Sequence, residues 1–164
     1  MSEVRIGFAR ESARSILQRM GVQQPPVDVH DVATREGLTI RILTTWPTTV
    51  SGLLLRNQRL VGLNGNHSRR RQRFSLAHEL GHWFMHREWL FNQDDITIDN
   101  PPESDATENR SEENEADEFA GELLAPRAFI KAAMKKTKSP NALAEIFDIS
   151  SEAMWVRLLR HSLL

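Results

Sequence analysis

The sequence predicts an α+β fold, because apolar periodicity changes along the chain. Three short runs suited to strands fall between residues 38 and 63, helical spacing flanks them, and the C-terminal half reads as helical. With 164 residues, 40% of them hydrophobic, one domain with a genuine core is expected. No apolar run approaches the roughly 20 residues that a membrane span needs, so no membrane partner is expected.

Phe8, Ala9, Ala13, Ile16, Leu17 and Met20 recur at helical spacing, and Gly21 is a natural stop. Val27 to Glu36 reads as a second, short helix closed by Gly37. Leu38 to Leu43 alternates like a strand, and Ser51 to Leu55 with Leu60 to Leu63 forms a hairpin about the polar Arg56-Asn57-Gln58-Arg59. This hairpin is expected to supply an edge strand for an extended partner, with Gly62 and Asn64 beside the groove. Phe74 to about Glu88, without Pro and rich in Leu, Phe and Met, fits a helix of three to four turns. Asn92 to Arg110 contains Pro101-Pro102 and many acids, which reads as a long exposed loop. Helical periodicity returns from Glu112 to Ala125 before Pro126, then over Ala128 to Lys136. Two amphipathic segments around Asp148-Ile149-Ser150-Ser151 complete the chain. The expected division is 1–137 as the main domain and 138–164 as a helix-turn-helix-like tail packed on it.

Composition narrows the chemistry. The absence of Cys excludes thiol nucleophiles, disulfides and Cys-ligated metal, so any metal must be held by His and carboxylates. A net charge of −1 conceals a segment, residues 93–118, that carries 11 of the 22 acids against one basic residue. Such a run ordinarily belongs to a solvated face or loop. The first residues, Met-Ser-Glu-Val-Arg-Ile, lack the basic start and apolar core of a signal peptide, so a cytoplasmic location is expected.

The strongest chemical signal is His78-Glu79-Leu80-Gly81-His82. Two imidazoles four residues apart share one helix face about 6 Å apart along the axis, so both can coordinate one zinc ion (Zn2+). Zinc makes a water acidic at neutral pH, and the adjacent Glu79 is placed to take its proton. On a helical wheel His78, His82, His86 and Glu79 fall within about 100° of one another, opposite Ala77, Leu80, Trp83 and Phe84. Gly81 costs about 1 kcal/mol relative to Ala inside a helix, which points to close approach of another backbone or a substrate.

The third ligand must come from elsewhere. Glu88 and Met85 stand where the metzincin pattern requires His and Gly, and His86 lies a further turn along the helix. In the helix after the acidic stretch, Glu113 and Asp117 are the acids on the small, apolar face, while Glu115, Glu118 and Glu122 group on the other side. Carboxylates on such a face need a positive partner. Glu113 is therefore assigned as third ligand, and Asp117 as acceptor for the free N–H of a ligating His.

These residues carry a resemblance. Arg73-Phe74-Ser75-Leu76-Ala77-His78-Glu79-Leu80-Gly81-His82 with His86, followed by Glu113-Asn114-Glu115-Ala116-Asp117-Glu118-Phe119-Ala120 and Leu123-Leu124-Ala125-Pro126, resembles the ImmA/IrrE family of zinc metallopeptidases. The resemblance implies a gluzincin-like, zincin-type fold and a cytoplasmic peptidase that cleaves a helix-turn-helix transcriptional repressor in phage, mobile-element or stress-response circuits. The family's ligands fall on His78, His82 and Glu113, and its general base on Glu79. Ala125-Pro126 departs from the common Met-Pro. The competing reading is a zinc-containing regulatory protein that sequesters a repressor or toxin without cutting it.

Three features carry weaker expectations. Arg69-Arg70-Arg71-Gln72-Arg73 lacks interleaved aromatics and reads as solvated or paired with the acidic segment. The last helix offers Glu152, Met154, Trp155 and Arg157 where a recognition helix carries polar and basic residues, so DNA binding by this chain is not expected. With no Tyr in the chain, transition-state stabilisation falls to His86, His67 or an Arg, and His86 is the first candidate.

Overall fold

The computed structural model describes residues 4–87, 95–98 and 110–164. Helix α1 (Ile6–Arg19) is followed by α2 (Val29–Arg35), β1 (Thr39–Leu43), β2 (Val50–Leu55) and β3 (Leu60–Asn64). Then come α3 (Arg69–Met85), β4 (Asp95–Ile98), α4 (Arg110–Leu124), α5 (Arg127–Ala133), α6 (Pro140–Phe147) and α7 (Ser151–Arg160). The architecture is α+β, and among the described residues no helix is long and apolar enough to cross a membrane.

Local chemistry sets most element ends. Asp28, Ser68, Ser139 and Ser150 each accept a hydrogen bond from the backbone N–H three residues on, capping α2, α3, α6 and α7. Gly21 and Gly37 take left-handed φ values of 70° and 75° just past α1 and α2, as the stop signals predict. Helix α3 begins at Arg69, five residues earlier than its apolar pattern, because the Ser68 cap admits the arginine run into its first turns.

The sheet has the order β1-β3-β2-β4. β2 and β3 form the predicted antiparallel hairpin, closed by a 3-10 turn at Arg56–Gln58, and β1 joins β3 in parallel. The expectation that this hairpin lies at an edge is corrected: β3 is enclosed by β1 and β2, and β2 by β3 and β4. Gly62 lies beneath Trp46, and the buried Asn64 donates to the carbonyls of Pro47 and Val50. The reading of 92–110 as continuous loop is also corrected. Asp95–Ile98 pairs antiparallel with β2, and Arg110 already belongs to α4. Four residues of alternation amid acids are too few to register as a strand, and the ladder to β2 supplies what local sequence does not. The rest of that stretch, 99–109, lies outside the described residues, as do 88–94.

Helix α3 is the hub, packed against α4, α1, α2, β2 and β3. Every residue from Ser75 to His82 is buried, so this helix has no solvent face along its middle turns. It meets α4 closely: a Cβ on Gly81 would lie 3.0 Å from Ala116 Cα and 3.2 Å from its carbonyl oxygen. The close backbone approach predicted for Gly81 is thus to α4.

The far side of α4 departs from the helical-wheel reading. Glu115, Glu118 and Glu122 are the buried acids, with side-chain exposures of 3%, 1% and 0%. Arg5, Arg10 and Arg14 meet them in the same order along the chain, so α1 and α4 lie side by side and parallel. From the other direction Arg157 of α7 donates to Glu118 at 2.8 Å and to Glu122, beside His161, and Arg160 donates to Glu118. Gly121 makes room for this, since a Cβ there would lie 3.0 Å from Arg157 Cδ. A helix pattern alone cannot distinguish a solvated acidic face from one neutralised by arginines arriving from two distant helices.

The arginine run is likewise absorbed internally. Arg69, Arg70 and Arg73 converge on Asp148 at the α6–α7 turn, and Arg70 also reaches Glu145 at 2.8 Å. Arg73, buried, donates to the carbonyls of Val27 and Asp148. Among the described residues Arg69, Arg70 and Arg73 find carboxylate partners in the tail. Burial pulls the Arg73 pKa down against the attraction of Asp148. Asp148 falls below its ordinary value: burial opposes this, and the hydrogen bond from Arg69 with the charge of Arg73 outweighs it.

Arg157→Ala leaves Glu118 and Glu122 buried without their central cation, and we expect about 3–5 kcal/mol of destabilisation in urea unfolding. The lattice is also acid-sensitive. Burial and the nearby Arg157 depress the His161 pKa to about 4. The unfolded chain therefore takes a proton near pH 6.5 that the folded chain refuses until about pH 4, and stability is lost across that interval as pH falls. The stability of wild type relative to His161→Gln is expected to decline from pH 7 to 4 in paired urea titrations. A constant difference contradicts this origin.

Candidate metal centre

The i, i+4 spacing on α3 stacks His78 and His82 on one face, with ring centroids 4.8 Å apart. Their Nε2 atoms are 3.1 Å apart. The Gly81–Ala116 contact brings the first turns of α4 over this face, and Glu113 reaches both rings: Oε2 lies 3.0 Å from His78 Nε2 and Oε1 3.1 Å from His82 Nε2. Two helices separated by the acidic segment thus converge three ligand atoms on one point, all within 4.8 Å of one another.

This donor set fits a metal ion. Donors about 2.0–2.1 Å from a tetrahedral ion lie about 3.3 Å apart, close to the spacing found here. The other nitrogen of each ring is occupied. His78 Nδ1 lies 2.8 Å from Asp117 Oδ1, and His82 Nδ1 lies 2.8 Å from His86 Nδ1, which leaves both Nε2 atoms for the ion. Glu113 and Asp117 are 39% and 50% exposed, so the centre opens on the α4 side while its histidines are buried.

Electrostatics follow from this packing. Burial alone would lower the His78 pKa, but hydrogen bonds to Asp117 and Glu113 outweigh it and raise it well above the ordinary value. Burial likewise opposes ionisation of Glu113, and the two imidazoles hold it far below the usual carboxylate range. A proton held by these groups competes with a metal ion, so metal affinity weakens as pH is lowered.

Glu79, next to the first ligand, is fully buried against β2. A Cβ on Gly52 would lie 2.5 Å from Glu79 Oε1 and 3.3 Å from its Cδ. Gly52, which the sequence reasoning passed over, therefore makes room for the Glu79 carboxylate; a glycine inside an apolar strand is the signal for such close approach. Arg56, also passed over, donates to the carbonyls of His82 and Trp83 at 2.7 and 3.1 Å near the end of α3, and its guanidinium lies 5.0 Å from the Trp83 ring.

The structure places His86 behind His82. Its Nδ1 faces His82 Nδ1, and its Nε2 lies 3.0 Å from Glu115. Burial lowers its pKa against the pull of Glu115. Glu115 itself is held at about 2: burial opposes this, while hydrogen bonds from Arg5 and His86 prevail. His67 sits apart at the end of the sheet, with Nε2 2.8 Å from the Thr48 carbonyl oxygen.

Comparison with known proteins agrees with this centre. The family model for Peptidase M78, the IrrE N-terminal-like domain, matches residues 33–159. The chain belongs to the Peptidase M78 family. No curated protein matches the chain. Among solved structures, a Mycobacterium tuberculosis transcriptional regulator superposes with a TM-score of 0.68 at 17% identity. That match covers 92% of this chain and 46% of the regulator, so the present M78 chain spans about half of that protein's length. At this identity the likeness concerns the fold. Membership in a family of metallopeptidase type and the His78, His82 and Glu113 cluster agree on a metal-binding M78 centre.

Gly52→Ala is expected to displace the Glu79 carboxylate without touching a ligand. Metal affinity should stay at the wild-type value, while any peptidase activity of the chain should fall by about 100-fold in kcat/KM. Equal loss of metal and activity would show that Gly52 serves packing alone.

Proposed function

We propose that this chain is a zinc-dependent endopeptidase that cleaves a helix-turn-helix transcriptional repressor in the cytoplasm. The observation that carries the reading is Glu79: a fully buried carboxylate one residue from His78, whose charge acts on the His78 ring and whose Oε1 takes the space that a side chain at position 52 would fill. A structural metal site needs no acid beside it, whereas hydrolysis needs a base within reach of water. Zinc is favoured by two neutral imidazoles and one carboxylate without thiolate, a set that leaves a fourth position open.

The division of labour follows from the residues. His78, His82 and Glu113 would hold the ion, and Asp117 would fix the His78 ring through Nδ1. A zinc ion so held supplies Lewis acidity to a carbonyl and makes water nucleophilic at neutral pH. Glu79 accepts the proton of the attacking water and delivers it to the leaving amine, so no second acid is required. With both His86 nitrogens engaged behind His82, this ring is turned away from the role of stabilising a developing oxyanion.

A protein substrate is supported by the family, and a repressor by the resemblance carried in the metal-helix and α4 motifs. The tail is read as a docking or packing element: α7 turns Met154, Arg157 and Leu158 inward and leaves Trp155, Val156 and Leu159 exposed.

The test is incubation of the zinc-loaded protein with the repressor encoded nearest its gene. Two fragments are expected from wild type, and Glu79→Gln should retain stoichiometric zinc while cleavage falls by about 10²–10⁴-fold. Repressor binding without fragments would favour the sequestering role. Cleavage by Glu79→Gln at the wild-type rate would overturn the mechanism.

A further inference from the structure

A hydrogen-bonded chain leaves the metal centre on the side of His82 remote from Nε2. His82 Nδ1 lies 2.8 Å from His86 Nδ1, and His86 Nε2 lies 3.0 Å from Glu115 Oε2. The same carboxylate accepts three bonds from Arg5: from the backbone N–H at 2.9 Å, from Nε at 3.1 Å and from Nη2 at 2.9 Å. His82, His86 and Glu115 are buried, and only Arg5, at the start of α1, reaches solvent.

The position of each proton follows from the outer end of this chain. A carboxylate held by Arg5 is an acceptor only, so the His86 nitrogen facing it must carry a proton. A neutral imidazole protonated on Nε2 has a bare Nδ1, and His82 must then donate to it from its own Nδ1. A neutral His82 protonated on Nδ1 has its lone pair on Nε2, the atom that faces His78 and Glu113. The opposite direction would set a lone pair against the Glu115 carboxylate and a proton on the ligating nitrogen.

We propose that Arg5, Glu115 and His86 are positioning residues that select the metal-ligating tautomer of His82 and hold its ring, so that the start of α1 controls metal affinity. The inference rests on the reading of His78, His82 and Glu113 as metal ligands. His78 needs no such relay, because Asp117 meets its Nδ1 directly. Arg5 lies outside residues 33–159, the span matched by the family model, so the outer end of the relay belongs to the N-terminal segment of this chain.

The test uses the zinc-loaded full chain with two readouts, histidine tautomers by long-range 1H–15N correlation and zinc affinity by competition with a chromophoric chelator. His86 is expected to be protonated on Nε2 and bare on Nδ1. His86→Phe keeps ring volume but removes both nitrogens, and should weaken zinc binding by about 10–100-fold. His86→Gln, whose amide can accept from His82 and donate to Glu115, should recover most of that loss. A purely structural role gives the reverse order, with Phe tolerated and Gln not. Arg5→Ala, at a half-exposed position, should weaken zinc in the same direction and serves if His86→Phe does not fold. A proton on His86 Nδ1, or wild-type zinc affinity in His86→Phe and Arg5→Ala, overturns the proposal. Neither readout involves peptide hydrolysis. A chain that shows the relay and cuts no repressor overturns the proposed function alone; one that cuts while His86→Phe holds zinc normally overturns the relay alone.

Discussion

The close crossing of α3 and α4 at Gly81 and Ala116 is the constraint on which the candidate centre depends. A Cβ on Gly81 would lie 3.0 Å from Ala116 Cα, so any larger residue would force the two helices apart by a few tenths of an ångström. The crossing helps to bring Glu113, which belongs to a different helix beyond the acidic segment, within 3.1 Å of both imidazoles. The cost of a glycine inside a helix, about 1 kcal/mol, is the energetic trace of that geometry. Gly52 acts similarly for Glu79, whose Oε1 occupies the space that a Cβ there would fill. Two glycines, one in a helix and one in a strand, thus leave room for the carboxylates of the centre.

What holds α4 in place is ionic. Glu115, Glu118 and Glu122 would be expensive to bury alone, and the arginines of α1 and α7 are what make the position tenable. A second ionic cluster, Arg69, Arg70 and Arg73 on Asp148, joins α3 to the α6–α7 turn. Both clusters rely on long-range pairs between a carboxylate and a guanidinium, whose planar fork suits such shared contacts. In the α1–α4–α7 cluster, loss of a guanidinium would leave the buried carboxylates of Glu118 and Glu122 short of a partner.

Legibility in the sequence varied with the range of the interaction involved. His78, Glu79 and His82 announce themselves because their relation is local, one helical turn. Glu113 and Asp117 emerge from a wheel because they share a face with small residues. The same wheel groups Glu115, Glu118 and Glu122 on one side but cannot show that this side is buried, since their partners lie about 110 residues away in and just before α1 and 35 to 42 residues away in α7. β4 escapes notice for a similar reason: its ladder to β2 is a tertiary fact, and four residues of alternation carry too little local signal.

The sequence by itself determined the α+β class, the stops after the first two helices, a His and carboxylate donor set that could hold a metal, and the family. Each depends on residue type and on spacings of a few positions, which backbone geometry converts directly into direction and face. Tertiary structure decided which strand lies at the sheet edge, which acids of α4 are buried, where the arginine run finds its partners, and that His86 stands behind His82. These depend on which distant groups meet, and burial makes such meetings decisive: an unpaired charge is costly away from water, so its partner, wherever it lies in the chain, settles the side to which it turns.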